Sequence, residues 1–225
     1  LREKILEAPK IIFHRYSHLD DAATQWFLKD VAKVSSPFEF QLNNQLTIDA
    51  SKGEIGLDVI HPEAVKGYQK EDGSFSSAFR CVVEAFFPEA ESAERLAMHP
   101  ILEWVDGDDS TGSATKYILG ANNALIESVG LTTLFQAYKT RFKIHGDAVI
   151  NQRFGEEILS TLYEHLLERE RACSRVRENC EFTLDGVVGI CSGTVPQEAL
   201  GYPQDYLCEL SKKNGAAEPL VFVYR

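Results

Sequence analysis

The sequence predicts an α/β fold: a mostly parallel sheet flanked by helices, a helical middle and a small C-terminal β-rich element. Three observations carry this. The apolar stretch KIIFH is followed, after the short RYSHL, by the helix-like DDAATQWFLKDV. Two further short strands, FEFQL and EIGLDVI, follow it, and strand–helix–strand order of this kind builds a parallel layer. Beyond them, Phe154, Ile158, Leu162 and Leu166 recur at a helical interval before the composition changes near residue 180.

KIIFH is short and continuously apolar, as a buried parallel strand should be. The next segment, 20–34, reads as a helix with Ser17 or Asp20 as N-cap and Ala22, Ala23, Trp26, Phe27 and Val31 on its apolar side. FEFQL alternates and suits a strand, and EIGLDVI is an apolar one. SSAFRCVVEAFF is a helix capped by Ser76 or Ser77, with Ala78, Val82, Val83, Phe86 and Phe87 as its core face and Pro88 as its stop. ESAERLAMHPILEWVD is a helix that Pro100 should kink or break. Segments 121–138 and 147–178 are helical, the latter ending in the charged LLERERACSRVRE. In the tail, EFTLDGVVGIC suggests strands about a DG turn, YPQDYLCELSKKNG a helix stopped by Gly215, and PLVFVYR a closing strand. These readings divide the chain into 1–115 as an α/β metal-site domain, 116–180 as a helical segment packed on it, and 181–225 as a small C-terminal αβ element.

A chain of 225 residues can bury a substantial core. Its net charge of −11 argues against broad binding to nucleic acid or anionic membrane. The dense basic stretches KTRFK and RERACSRVR suit exposed helix faces, so no long nucleic-acid track is evident. No apolar run is long enough to span a bilayer, and LREKILEAPK lacks the build of a signal peptide. The five cysteines, Cys81, Cys173, Cys180, Cys191 and Cys208, contain no CxxC pair and read as reduced thiols of a cytoplasmic protein.

The chemistry gathers at predicted strand ends, where open α/β sheets bind ligands. His14 and Asp58 end two strands, and His18 and Asp20 lie in the loop after the first. Imidazole with carboxylate suits Mn²⁺, Fe²⁺ or Zn²⁺ better than Ca²⁺. Asp106, Asp108 and Asp109 form a further acidic cluster in EWVDGDDSTG, where a cation would offset their repulsion. Each residue also has a structural reading. Acids near a helix start complement its dipole, His14 suits a hydrogen-bonded core position, and DGDD suits a solvated turn. Ser76 and Ser77, at a helix N-terminus, offer hydroxyls and backbone N–H groups to a phosphate, or serve as plain caps. Asp21 suits an outer partner of an imidazole, or a first-turn acid.

In order, these landmarks resemble the Asp-His-His (DHH) phosphoesterase superfamily. Its first motif, a strand followed by His-x-x-x-Asp-x-Asp, is similar to His14-Arg-Tyr-Ser-His18-Leu-Asp20. Closest is the branch whose first motif, of the type Phe-His-x-Asp-Glu, likewise carries a histidine, matching Ser17-His18-Leu-Asp20-Asp21. GLDVIHP with Asp58 matches a strand ending in Val-Asp-Val; Ser76-Ser77-Ala78 matches a Ser-Ser-Ala helix opening; Val105-Asp106-Gly-Asp-Asp109-Ser-Thr-Gly112 matches a later Val-Asp-x-x-Asp-Asn-Gly. The resemblance spans roughly residues 10–180. The interval VIHPEAVKGYQKEDGSF, between Asp58 and Ser76, holds no His-His pair, and His61 or Asp72 would have to stand in for the signature motif.

The resemblance implies a DHH-like fold and a phosphoesterase using one or two Mn²⁺ or Mg²⁺ ions. The metal ligands would be His14, His18, Asp20, Asp58 and Asp106. Asp58, Asp20 and His61 would carry catalysis, with Asp58 bridging, and Ser76 and Ser77 would bind the phosphate. The implied substrate is a small phosphoester or short nucleotide, with altered or reduced activity given the missing motif, and a homo-oligomer is one assembly to expect. The alternative is a non-catalytic relative that binds a ligand or partner. A third reading, an unrelated metal-dependent oxidoreductase or hydrolase, would use His14, His18 and Asp20 alone.

Overall fold

A computed structural model describes residues 1–42, 46–71, 73–183, 188–191 and 221–224, with side chains up to residue 175. The chain forms two compact units, Leu1–Tyr163 and Glu164–Arg225.

The first unit is α/β. A short helix, α1 (Arg2–Glu7), precedes strand β1 (Ile11–His14). All four β1 residues are buried, which explains the unbroken apolar run before His14. Helix α2 (Leu19–Trp26) follows and passes into a π-helical turn, Phe27–Val31. Strand β2 (Phe38–Gln41) and the short β3 (Ile55–Gly56) complete a three-stranded, all-parallel sheet of order β2-β1-β3. Ile11 faces Phe38 on one side and Ile55 on the other, and His14 pairs with Gln41. The chain thus leaves β1 for one edge and returns to its other side, so β1 and β3 flank a topological switch point.

Helices account for the rest. They are α3 (Ala78–Phe86), α4 (Ala93–Thr111), α5 (Ala114–Leu119), α6 (Ala124–Glu127), α7 (Leu131–Phe142) and α8 (Asp147–Phe154). A second π turn, Gly155–Leu159, leads from α8 into α9 (Ser160–Asn179). Helix α2 sits at the centre. The sequence suggested one apolar side, yet every residue from Leu19 to Leu28 is buried. Phe27 lies edge-on to Phe79, Phe86 and Phe87, which ties α2 to α3.

Three helical expectations change. Helix α4 runs unbroken through Pro100 and carries DGDD inside its last turns, ending at Gly112 with φ 66°. The segment expected as one helix over 121–138 divides at Gly130, where a Cβ would stand 1.9 Å from the Trp104 ring. The run from Asp147 contains the π turn, which adds a residue and rotates the buried face. Phe154, Leu159 and Tyr163 are buried, whereas Ile158 and Leu162 are only partly so.

In the second unit, β4 (Cys180–Thr183) and β5 (Val188–Cys191) pair antiparallel, and β6 (Val221–Tyr224) joins β5 in parallel. The DG turn and the helix ending at Gly215 lie outside the described residues, as does Asp72.

Candidate metal centre

His14 stands at the carboxyl end of β1 because its four-residue run is locked in register between two parallel neighbours. Leu57 N–H donates to the Ile12 carbonyl at 2.9 Å, which extends the β3 side of the sheet and places Asp58 beside His14. Asp58 has φ 49°, in the left-handed region that Asp tolerates better than most residues. Its N–H donates to the Val65 carbonyl at 3.0 Å. His14 thus ends β1 as expected, whereas Asp58 lies two residues beyond the end of β3 rather than in it, beside His14 at the carboxyl end of the sheet.

His18 is the N-cap residue of α2, and its backbone N–H donates to Asp21 Oδ2 at 2.8 Å. The same oxygen lies 2.9 Å from His14 Nε2, and Asp58 Oδ2 lies 3.7 Å from that nitrogen. The His14 and His18 rings meet edge-on, 4.9 Å between centroids. His14, His18, Asp21 and Asp58 each bring one donor atom into a set lying within 4.8 Å of one another. Two donors at right angles on an ion, each about 2.1 Å away, stand about 3 Å apart and opposite ones about 4.2 Å, so donors spread over as much as 4.8 Å close on a single ion by drawing inward. His14 Nδ1 and Asp21 Oδ1 are buried and have no protein partner, an arrangement that costs free energy unless something else satisfies them.

The buried carboxylates at this end of the sheet perturb one another and His14. Burial alone would lower the His14 pKa, but contact with Asp21 and Asp58 outweighs it and raises it to about 10. Burial raises Asp21, with His14 holding it back and Asp58 pushing it further up. Asp20 is raised well above its ordinary value by burial, then by Asp58, Asp21 and Asp109. Asp109, an exposed residue, is pushed up to about 6 by desolvation, then by Asp58, Asp106, Asp108 and Asp21. Carboxylates are crowded here, and a divalent cation relieves such crowding. Two imidazoles with two carboxylates suit Mn²⁺, Fe²⁺ or Zn²⁺.

Other expected site residues lie elsewhere. Asp20 faces α3: its carboxylate accepts the N–H groups of Ala78 at 3.1 Å and Phe79 at 2.8 Å, and the Thr24 hydroxyl at 3.2 Å. Asp106 is wholly buried and accepts the Ser77 N–H and hydroxyl at 2.9 and 2.7 Å, with Lys70 and Arg80 on its other oxygen. Neither belongs to the donor set. The α3 N-terminus, expected to hold a phosphate, is therefore filled by the protein's own Asp20 and Asp106. Ser77 caps α3 through Arg80 N–H, and the Ser76 hydroxyl accepts the Tyr68 N–H. Both serines are buried and neither lines an open phosphate site. His61 accepts the Glu63 N–H through Nδ1 and stands outside the cluster.

Asp21 is the member that the first motif did not select. Its position three residues after the N-cap, where an acid reaches back to the cap N–H, was the available signal. Surface clefts of about 500 and 660 Å³ lie at the other end of the sheet, beside Lys10, Glu54 and Ile55. There Lys10 pairs with Glu54 and Lys52 with Asp49, so the charges satisfy one another. Among the described residues no helix is long and apolar enough to cross a membrane. Comparison with family models, curated proteins and solved structures finds no match, so the functional reading stands on these residues.

Proposed function

We propose that the chain is a metal-dependent phosphoesterase of DHH type, acting on a small phosphoester or short nucleotide with Mn²⁺ or Mg²⁺. The observation that carries this is the four-residue donor set at the carboxyl ends of β1 and β3, with Asp21 Oδ1 buried and unpartnered. The ordered resemblance of His14 to Asp20, Asp58, Ser76 to Ala78 and Val105 to Gly112 supplies the reaction class. Such an ion, when bound, polarises a phosphoryl oxygen and eases deprotonation of water. His14, His18, Asp21 and Asp58 hold it. The Asp21 carboxylate also fixes the His14 ring, and β1 and β3 keep His14 and Asp58 side by side. One ion is the number this donor set suits.

The missing Asp-His-His motif favours a second reading, a ligand- or partner-binding relative without catalysis. His61 is turned to its own loop and the α3 N-terminus is occupied, so the usual phosphate contacts are gone. Hydrolysis of bis-p-nitrophenyl phosphate in Mn²⁺, by wild type and His18→Ala, separates the two. Turnover lost in the variant supports the phosphoesterase; metal binding without turnover supports the second reading.

A further inference from the structure

We propose that Lys139 and Asn151 are positioning residues for the candidate metal centre, acting from α7 and α8 through Ser17. The inference rests on the metal-site reading above.

His14 is fixed by the sheet, and His18 by the start of α2. Between them Arg15 and Tyr16 are exposed, while Ser17 is 1% exposed. Ser17 is gripped twice from far along the chain. Lys139 Nζ donates to its carbonyl at 2.8 Å, and Asn151 Nδ2 donates to its hydroxyl at 3.0 Å. Asn151 is itself buried, with Oδ1 unpartnered. The Lys139 ammonium also lies 5.7 Å from the centre of the Phe135 ring, which directs it inward from α7.

The geometry links this grip to the donor set. The Ser17 carbonyl shares one peptide plane with the His18 N–H, and that N–H donates to Asp21 Oδ2. Asp21 Oδ2 in turn bonds His14. Lys139 on the carbonyl therefore orients and polarises the peptide that holds Asp21, and bonds in such a chain strengthen one another. Ammonium, peptide, carboxylate and imidazole form one line from α7 to the end of β1. Asn151 anchors the same turn by its side chain, which keeps the peptide from rotating.

A plain charge effect and a positioning effect have opposite signs here. Removing a nearby ammonium should strengthen cation binding by electrostatics alone. Loss of positioning should weaken it, by about tenfold for an outer partner of metal ligands. The test is Mn²⁺ titration of metal-free full-length Lys139→Met, Lys139→Arg and Asn151→Ala, with Co²⁺ absorption spectra as a readout of ligand geometry. The proposal predicts weaker Mn²⁺ binding and an altered Co²⁺ spectrum in Lys139→Met and Asn151→Ala, with recovery in Lys139→Arg. Unchanged or tighter binding, or weaker binding with an unaltered spectrum, overturns it. If Lys139→Met does not fold, Asn151→Ala decides by the same readouts. Failure of wild type itself to bind Mn²⁺ removes the metal-site reading and this proposal together; normal wild-type binding with normal variants removes this proposal alone.

Discussion

Asp20 and Asp21 are adjacent, yet a helix turns about 100° between them, and their partners differ accordingly. Asp21 faces His14 and His18; Asp20 faces the first turn of α3. Asp21→Asn should weaken Mn²⁺ binding by more than about tenfold, because it replaces a carboxylate donor with an amide. Asp20→Asn should leave Mn²⁺ stoichiometry unchanged and cost about 2 kcal/mol in urea unfolding, since an amide has one acceptor oxygen where the carboxyl uses two for the N–H groups of α3. Asp106 is the third acid whose partners set its role. Burial opposes its charge, but Lys70, Ser77 and Arg80 overcome this and hold its pKa below the ordinary carboxylate value. Its contribution to stability is therefore present above about pH 4 and is lost as pH falls through the lowered folded value. Asp106→Asn should cost about 3 kcal/mol at pH 7 and flatten that acid limb, as measured by urea midpoints from pH 7 to 3. The motif order in the sequence made His14, His18 and Asp58 legible. It gave no way to see that Lys70 and Arg80 would claim Asp106, because those pairings join residues 36 and 26 positions apart, respectively.

At the scale of elements, strands and helix starts were legible because short apolar runs, caps and stops are local signals. Ser77 and Pro88 each act at or near the helix end where local chemistry places them. The close approaches at Gly130 and Gly155 were not legible, because each is made with a tryptophan elsewhere in the chain, Trp104 and Trp26. Gly155 lies in the π turn against Trp26, where a Cβ would come within 2.7 Å of the Trp26 Cβ. Trp26 is pinned there by its Nε1 donating to Ser160 at 2.9 Å. Gly155→Ala should therefore force α2 and the π turn apart and cost about 1–3 kcal/mol by thermal or urea unfolding. Helix α2 misled in another way. Its polar residues, Asp20, Asp21, Thr24 and Gln25, are buried with the apolar ones, so a one-sided pattern underestimates how central it is.

Across the whole first unit, a small parallel sheet with order β2-β1-β3 puts its switch point between β1, which ends in His14, and β3, which Asp58 follows by two residues. The site therefore follows from topology as well as from residue type, and the adjacency of two strand ends is what the sequence reading required of it. The connection from Asp58 to Ser76 was the least legible part. Its described residues carry no regular structure apart from isolated bridges; Lys70 to Asp106 anchors it from a distant helix, and Ser76 to Tyr68 ties it to itself. The most direct test of the central claim is titration of metal-free protein with Mn²⁺, with His18→Ala as control. The account predicts one specific ion per chain, lost in the control. Absence of specific binding, or binding that His18→Ala leaves intact, would contradict it.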